Sequence, residues 1–296
     1  MTTIALLIAL SASGSGSTSL NDERSAQVAI VTEVRGQAWV SSETKPRRVL
    51  QAFEWLVPEA LIEVGRSSET TVVFINGARY SLGSQSRGRV SVNGIVDRVG
   101  RIRELAQLPP LPNVAPLPPG ATPTRSGAVR IRGNRWPMFP AESATALASA
   151  TILRFAPQAR ADRYFVQIVD SRRSSVFATT TTQTVVSVPA TVLEPGRMYT
   201  WEVHALDATG EFSRGDERFT TLTDEQAVRR QAFAALVAND RGPALLALLG
   251  FLDSELGLLA DARVELRHAA ARRYDGSRLN ELRASLDKQL EWIPDE

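Results

Sequence analysis

Two stretches of the chain alternate polar and apolar positions with a period of two, and a third repeats its apolar positions every three to four residues. The first β-patterned stretch spans residues 27–104. Short runs at 28–34, 37–40, 61–64, 70–75, 78–82, 89–92 and 95–99 are rich in β-branched residues and separated by Gly, Ser and Asn. Asn76-Gly77 and Asn93-Gly94 sit between such runs, a dipeptide that predicts type I′ hairpin turns with positive φ at both central residues. The second stretch, residues 128–223, has strand runs at 151–155, 163–169, 175–182, 184–188, 198–206 and 217–222. Alternation is plainest in Tyr199-Thr200-Trp201-Glu202-Val203, which predicts Tyr199, Trp201 and Val203 on the buried face. Six or seven strands at this spacing predict a β-sandwich.

From residue 224 to the C-terminus the period is helical. Thr223 and Gln226 form a capping box, and Val228, Ala232, Phe233 and Leu236 are predicted to share a face. Further stripes run through Leu245, Leu248, Leu249 and Leu252, then Leu259, Ala262, Leu266 and Ala269, then Leu279, Leu282, Leu286 and Leu290. Between the two β stretches, residues 105–127 hold seven prolines. Proline fixes φ and removes a donor, so this stretch is predicted to be a semi-rigid spacer. The expected fold class is a multidomain chain, mainly β with α.

Three resemblances attach to these segments. The order VTEVRGQAWV, then LIEVGRSSETTVVFINGARYSLGSQSRGRV, resembles the FecR domain, a β module of bacterial envelope proteins. Gly36, Val40, Ile62, Gly65, Ser68, Val73, Phe74, Gly77, Leu82, Gly83, Ser86 and Val90 carry it, and Pro58-Glu59 departs from it. The phrase LEPGRMYTWEVHALDATGEFS resembles the corner and following strand of a fibronectin type III-like domain. That likeness implies a tyrosine corner built from Leu193, Gly196 and Tyr199. Residues 243–276 resemble one tetratricopeptide repeat, with Leu249, Gly250, Gly257, Ala262 and Ala269 at the small and apolar positions and Asp253 where that family has an aromatic.

Composition narrows the chemistry. The chain has 296 residues and no Cys, which excludes disulfides, thiolate metal sites and Cys nucleophiles. His204 and His268 are its two histidines; His204 reads as a surface residue and His268 as a solvated or half-buried one. No phosphate loop, His-Glu-x-x-His or Gly-x-Ser-x-Gly motif occurs. Asp253, Glu255 and Asp261 surround Gly257 and read as a solvated acidic turn, with an oxygen-ligand metal site as the alternative. No catalytic residue, cofactor or metal is assigned, and the expected class is not an enzyme.

Net charge is +2, with 34 basic against 32 acidic residues, so no global field marks a nucleic-acid binder. The local exception is the run from Arg98 to Arg135, seven Arg against Glu104 alone. Guanidinium forks suit phosphate and carboxylate. Arg101, Arg103, Arg125, Arg130, Arg132 and Arg135 are therefore the candidate partner-binding residues, facing an envelope protein or an anionic cell-wall polymer. The same arginines could instead lie over domain edges or pair with the acidic helices. Residues 4–10 are apolar and followed by small residues, which predicts a signal peptide within residues 1–20, export to the periplasm or beyond, and no membrane span in the mature chain. The expected function is a non-catalytic envelope interaction or scaffold protein. The alternative, implied by the FecR resemblance, is a regulator in an envelope-to-sigma-factor pathway.

Overall fold

A computed structural model describes residues 27–112 and 136–293, apart from residues 44, 142, 143, 241 and 275. The described chain is mainly β, with eighteen strands in four sheets, and four helices follow. Residues 28–112 form two five-stranded antiparallel sheets. One has the order β10(Ile102–Leu105), β7(Arg79–Leu82), β6(Glu69–Phe74), β1(Ala29–Arg35), β4(Trp55–Leu56). The other runs β3(Arg48–Val49), β2(Ala38–Ser41), β5(Leu61–Val64), β8(Arg87–Val90), β9(Ile95–Val99). Ala29, Val31, Val40, Ile62, Val72, Phe74, Leu82 and Val90 meet in the core they share.

β1 and β6 are buried on both faces, which explains why their sequences read as apolar runs without clean alternation. Their second face carries Ile30 and Val73 into a cluster with the C-terminal helices.

The two Asn-Gly sites do not make type I′ turns. At the first, the Gly77 N–H donates to Phe74 O at 2.9 Å and the Phe74 N–H to Ala78 O at 2.8 Å; Gly77 has φ +88° and Asn76 keeps a negative φ. This is a three-residue loop ending in a left-handed glycine. A side chain there would also place Cβ 2.0 Å from Leu108 O. At the second site neither residue has positive φ, and Gly94 is small because the Tyr80 hydroxyl lies where its Cβ would be, at 2.5 Å.

The start of the proline-rich stretch does not stand off as a spacer. The Leu108 N–H donates to Gly77 O at 2.9 Å and the Leu111 N–H to Ile75 O at 2.8 Å, and both leucines are buried in the helix-facing cluster. Two side chains long enough to reach an apolar face outweigh the stiffness of the prolines between them.

Residues 136–222 form a second two-layer unit. A three-stranded sheet, β11(Met138–Phe139), β13(Ile152–Phe155), β16(Val185–Ser187), lies opposite a five-stranded one of order β12(Ala144–Ala146), β18(Gly210–Thr221), β17(Met198–Asp207), β14(Arg163–Val169), β15(Ser175–Thr181). All its pairings are antiparallel except β12 with β18. Leu153, Phe155, Tyr164, Val166, Ile168, Trp201, Val203 and Phe219 fill the space between them. Tyr199, Trp201 and Val203 point inward, as alternation predicts. The Tyr199 hydroxyl accepts the Glu194 N–H at 2.8 Å beside buried Leu193, so it serves as an acceptor in this corner. Tyr199→Phe keeps the ring and leaves that N–H without its partner. Equilibrium denaturation should show a loss of about 1 to 2 kcal/mol.

The helices are α1(Asp224–Asp240), α2(Pro243–Glu255), α3(Leu259–Ala271) and α4(Ser277–Gln289). The Thr223–Gln226 capping box forms, with Gln226 N–H to Thr223 Oγ1 at 3.3 Å and Thr223 N–H to Gln226 Oε1 at 3.2 Å. The face of α1 is turned from the expected one: Val228 is 66% exposed and Ala232 exposed, while Phe233 and Val237 are buried with Arg230 half-buried beside them. α2 is buried almost all round, from Leu245 to Asp253, as a helix packed on several sides must be.

These helices do not form a separate array. On one side Leu245, Leu248, Phe251 and Leu279 share a cluster with Ile30, Phe53, Val73, Leu108 and Leu111 of the first β unit. Phe53 stacks 5.4 Å from Phe251, and Trp55 lies 6.4 Å from it, so this aromatic group is the seat of the helices. The β1 ladder shifts register between Val31 and Glu33, and the Tyr274 hydroxyl donates to the carbonyl of the intervening Thr32. On the other side Leu290 and Ile293 pack on Phe139 and Ala144, and Leu256 and Leu258 on Leu222. The helical segment is thus wedged between both β units.

Candidate functional site

The outward face of the five-stranded sheet β12-β18-β17-β14-β15 carries an open concavity of about 390 Å³, lined by Arg163, Phe165, Thr180, His204, Leu206 and Glu211. Strand alternation puts it there. With Tyr164, Val166, Trp201 and Val203 inward, Phe165, Glu202, His204 and Leu206 must face out. Phe165 and His204 are directly opposed across β14 and β17, and their rings meet edge to face at 5.7 Å.

His204 sits on this face as expected, but its side chain is only 14% exposed. Its Nδ1 lies 2.9 Å from Glu211 Oε2 and its Nε2 3.4 Å from Glu202 Oε2. Glu202 continues to the Arg214 guanidinium at 2.7 Å. At the rim Arg160 pairs with Asp207 at 2.9 Å and lies over the Phe212 ring. The Thr209 hydroxyl and N–H, which donate to Asp207, hold its carboxyl below the usual range. The result is a shallow, open surface that sets charged pairs beside aromatic and aliphatic patches.

Of the six predicted partner-binding arginines, Arg101 and Arg103 are described, and both are exposed. Arg103 lies on β10 opposite Ser81, and Arg101 in the turn before that strand, packed against Gly83. Arg125, Arg130, Arg132 and Arg135 lie outside the described residues, as does the predicted signal peptide. Arg98 lies over the Tyr80 ring at 4.8 Å and donates to Ile95 O, so it is spent on its own β unit.

The acidic turn around Gly257 is solvated only in part: Glu255 is exposed and Asp261 half-exposed, but Asp253 is not. Asp253 is fully buried and takes a bidentate bond from Arg230 of α1, Nε to Oδ1 at 3.0 Å and Nη2 to Oδ2 at 2.8 Å. Arg230 also lies 3.3 Å from Asp261. Burial pushes the Asp253 carboxyl up to about 6 against the opposing pull of Arg230. It likewise raises Glu265. The missed signal was Arg230 itself, three residues before Phe233 and seven before Val237 on the buried stripe.

Arg263, which the helical pattern places between apolar positions, is also buried and donates to the carbonyls of Leu290 and Ile293 at 2.6 and 3.2 Å. His268 is 62% exposed. Among the described residues no group of three or more His, Asp or Glu is arranged to hold a metal ion, and no helix is long and apolar enough to cross a membrane.

No family model and no curated protein matches this chain. Among solved structures, CopC from Methylosinus trichosporium OB3b is similar at 20% identity, covering 30% of this chain and 94% of that one, with a TM-score of 0.25. A beta-1,2-glucanase from Parabacteroides distasonis is similar at 10% identity, covering 90% of this chain and 49% of that one, with a TM-score of 0.22. At these scores the likenesses determine neither fold nor function.

Proposed function

We propose that this chain is a non-catalytic interaction or scaffold protein of the bacterial envelope, exported to the periplasm, which binds a protein partner or an anionic cell-wall polymer. The observation that carries the reading is the placement of the helices. Apart from Val228 and Val264, their apolar surface is consumed in joining the two β units, and the surfaces left for a partner in this reading are sheet: the open face around Phe165 and His204, and the arginine-bearing edge at Arg101 and Arg103. The finer architecture belongs to the same proposal. A FecR-like domain at 27–104 is supported by the turn role of Gly77 and by Val40, Ile62, Phe74, Leu82 and Val90 in one core. A fibronectin type III-like sandwich at 128–223 is supported by the Tyr199 corner. The tetratricopeptide likeness at 224–296 is supported by the α2–α3 hairpin alone, where a Cβ at Gly250 would lie 2.8 Å from Leu266 Cγ.

The test has two arms. Residues 1–30 fused to a reporter active only outside the cytoplasm should give signal; a silent fusion with the protein in the cytosol removes the envelope reading. Full-length protein should be retained on immobilised anionic cell-wall polymer, and Arg101→Glu with Arg103→Glu should lower the salt needed to elute it. Unchanged elution removes the arginine edge from the reading, and capture of a sigma-factor pathway component in its place would favour the regulator.

A further inference from the structure

A guanidinium drawn out of water is ordinarily met by a carboxylate or by carbonyls, because its donors are costly to leave empty. Arg230 has Asp253, and Arg263 has the carbonyls of Leu290 and Ile293. Arg79 has no such partner. It is half-buried at the start of β7, its Nε is shielded from water without a hydrogen bond, and among the described residues no carboxylate pairs with it. The ladders of β7 with β6 and β10 place it. Tyr80 lies in the core between the two sheets, so Arg79 and Ser81 stand on the outer face, Arg79 opposite Val73 and Leu105, Ser81 opposite Thr71 and Arg103. The Gly83 N–H donates to Arg101 O at 2.7 Å, one rung further, and a Cβ at Gly83 would meet the Arg101 Cβ at 3.3 Å. Arg101, Arg103 and Arg79 therefore share one face. Arg101 and Arg103 are about 6.6 Å apart along the chain, and Arg79 is the diagonal neighbour of Arg103 at about 7 to 8 Å. Glu33 and Glu69 lie on the same face, but Arg35 pairs with both, at 2.7 and 3.9 Å, and the Ser81 hydroxyl donates to Glu69 at 2.6 Å. Glu104 is opposite Tyr80 and belongs to the other face.

We propose that Arg79, Arg103 and Arg101 form a binding row for a phosphate-bearing anionic polymer, with Arg79 as its anchor. This rests on the polymer reading given above and names the group that is recognised. Cations spaced at ladder distances along one face suit the successive charges of a single chain, whereas a small free anion would meet only one or two of them. The diagonal selects phosphate over carboxylate. The oxygens of a tetrahedral phosphate diverge, so one group can take a fork from Arg79 and another from Arg103; a single fork already matches both coplanar oxygens of a carboxylate. Arg79 anchors the row because its guanidinium has shed part of its water in folding, so its charge is less screened than those of exposed Arg101 and Arg103.

Calorimetric titration of the full-length protein with long-chain polyphosphate and, separately, with polygalacturonate at one ionic strength tests the site. Polyphosphate should bind more tightly. Arg79→Lys keeps the stem and the charge but not the fork, so it should leave the circular dichroism and melting temperature unchanged while raising the polyphosphate Kd about tenfold. Arg79→Gln, which also removes the charge, should lose more. Arg101→Lys, at a water-exposed position, should change the Kd by less than about threefold. Polyphosphate binding indifferent to Arg79→Lys and Arg79→Gln, or equal affinity for the two polymers, would overturn the site and leave the polymer reading standing. Wild-type protein that binds neither polymer would overturn both.

Discussion

Replacing Trp201 by Ala should cost about 3 to 5 kcal/mol in the unfolding of the full-length protein. The indole is wholly buried in the second β unit and packs 6.5 Å from the Phe155 ring. Its Nε1–H donates to Pro140 O at 2.8 Å, a bond between the β17 core and the chain leaving β11. Alanine therefore removes a large ring and leaves a carbonyl without its donor in the same place. Trp201→Phe retains much of the packing but not the bond, and should fall between the two. Denaturant melts are the measurement, made on the whole chain because Phe139, Ala144 and Leu222 of this unit are covered by helices. A nearly neutral Trp201→Ala would mean that Tyr199, Trp201 and Val203 face outward, and the site around Phe165 and His204 would have to be abandoned with them.

Arg230→Ala should be comparably damaging, by about 3 to 5 kcal/mol near neutral pH, since it leaves the buried Asp253 carboxylate without its cation while Asp261 and Glu265 repel it. The pH dependence identifies the cause. Asp253 titrates near 6 in the folded protein, above its ordinary value of 3.8, so the folded state holds that proton more tightly than the unfolded chain does. Its contribution to stability is complete below about 4 and is lost as the pH rises through about 6. Asp253→Asn should flatten the stability profile across that window. The deficit of Arg230→Ala should shrink as the pH falls toward about 6 and be smallest below it, because protonated Asp253 no longer needs a cation. Chemical denaturation of the three proteins at several pH values between 4 and 8 measures both effects; a deficit independent of pH would assign the loss to packing alone.

Local pattern accounts for much of this molecule. Runs such as 61–64 and 163–169 coincide with strands because alternation and β-branched residues report a half-buried pleat directly. The inward set of β17 and the Thr223 cap follow from spacing alone. Shorter strands such as β3, β4, β11 and β12 were not legible, since two or three residues have no period. The candidate site was half legible. Alternation placed His204 outward beside Glu202 of the same strand, but Glu211 and Phe165 come to it from β18 and β14, and register is not written in any one strand.

What only the tertiary structure decided is which surfaces meet. Composition and period determined that the chain holds two β stretches and a helical one, without thiol chemistry. They could not say that α2 would be buried on nearly every side, that Arg230 would be drawn inward to Asp253, or that Leu108 and Leu111 would fasten a proline-rich stretch to a sheet. An apolar residue records that it must leave water; its partner is chosen by shape and by what other elements leave uncovered. The same applies to β15, whose uncharged sequence is visible in the chain but whose position at the end of its sheet exists only in the fold.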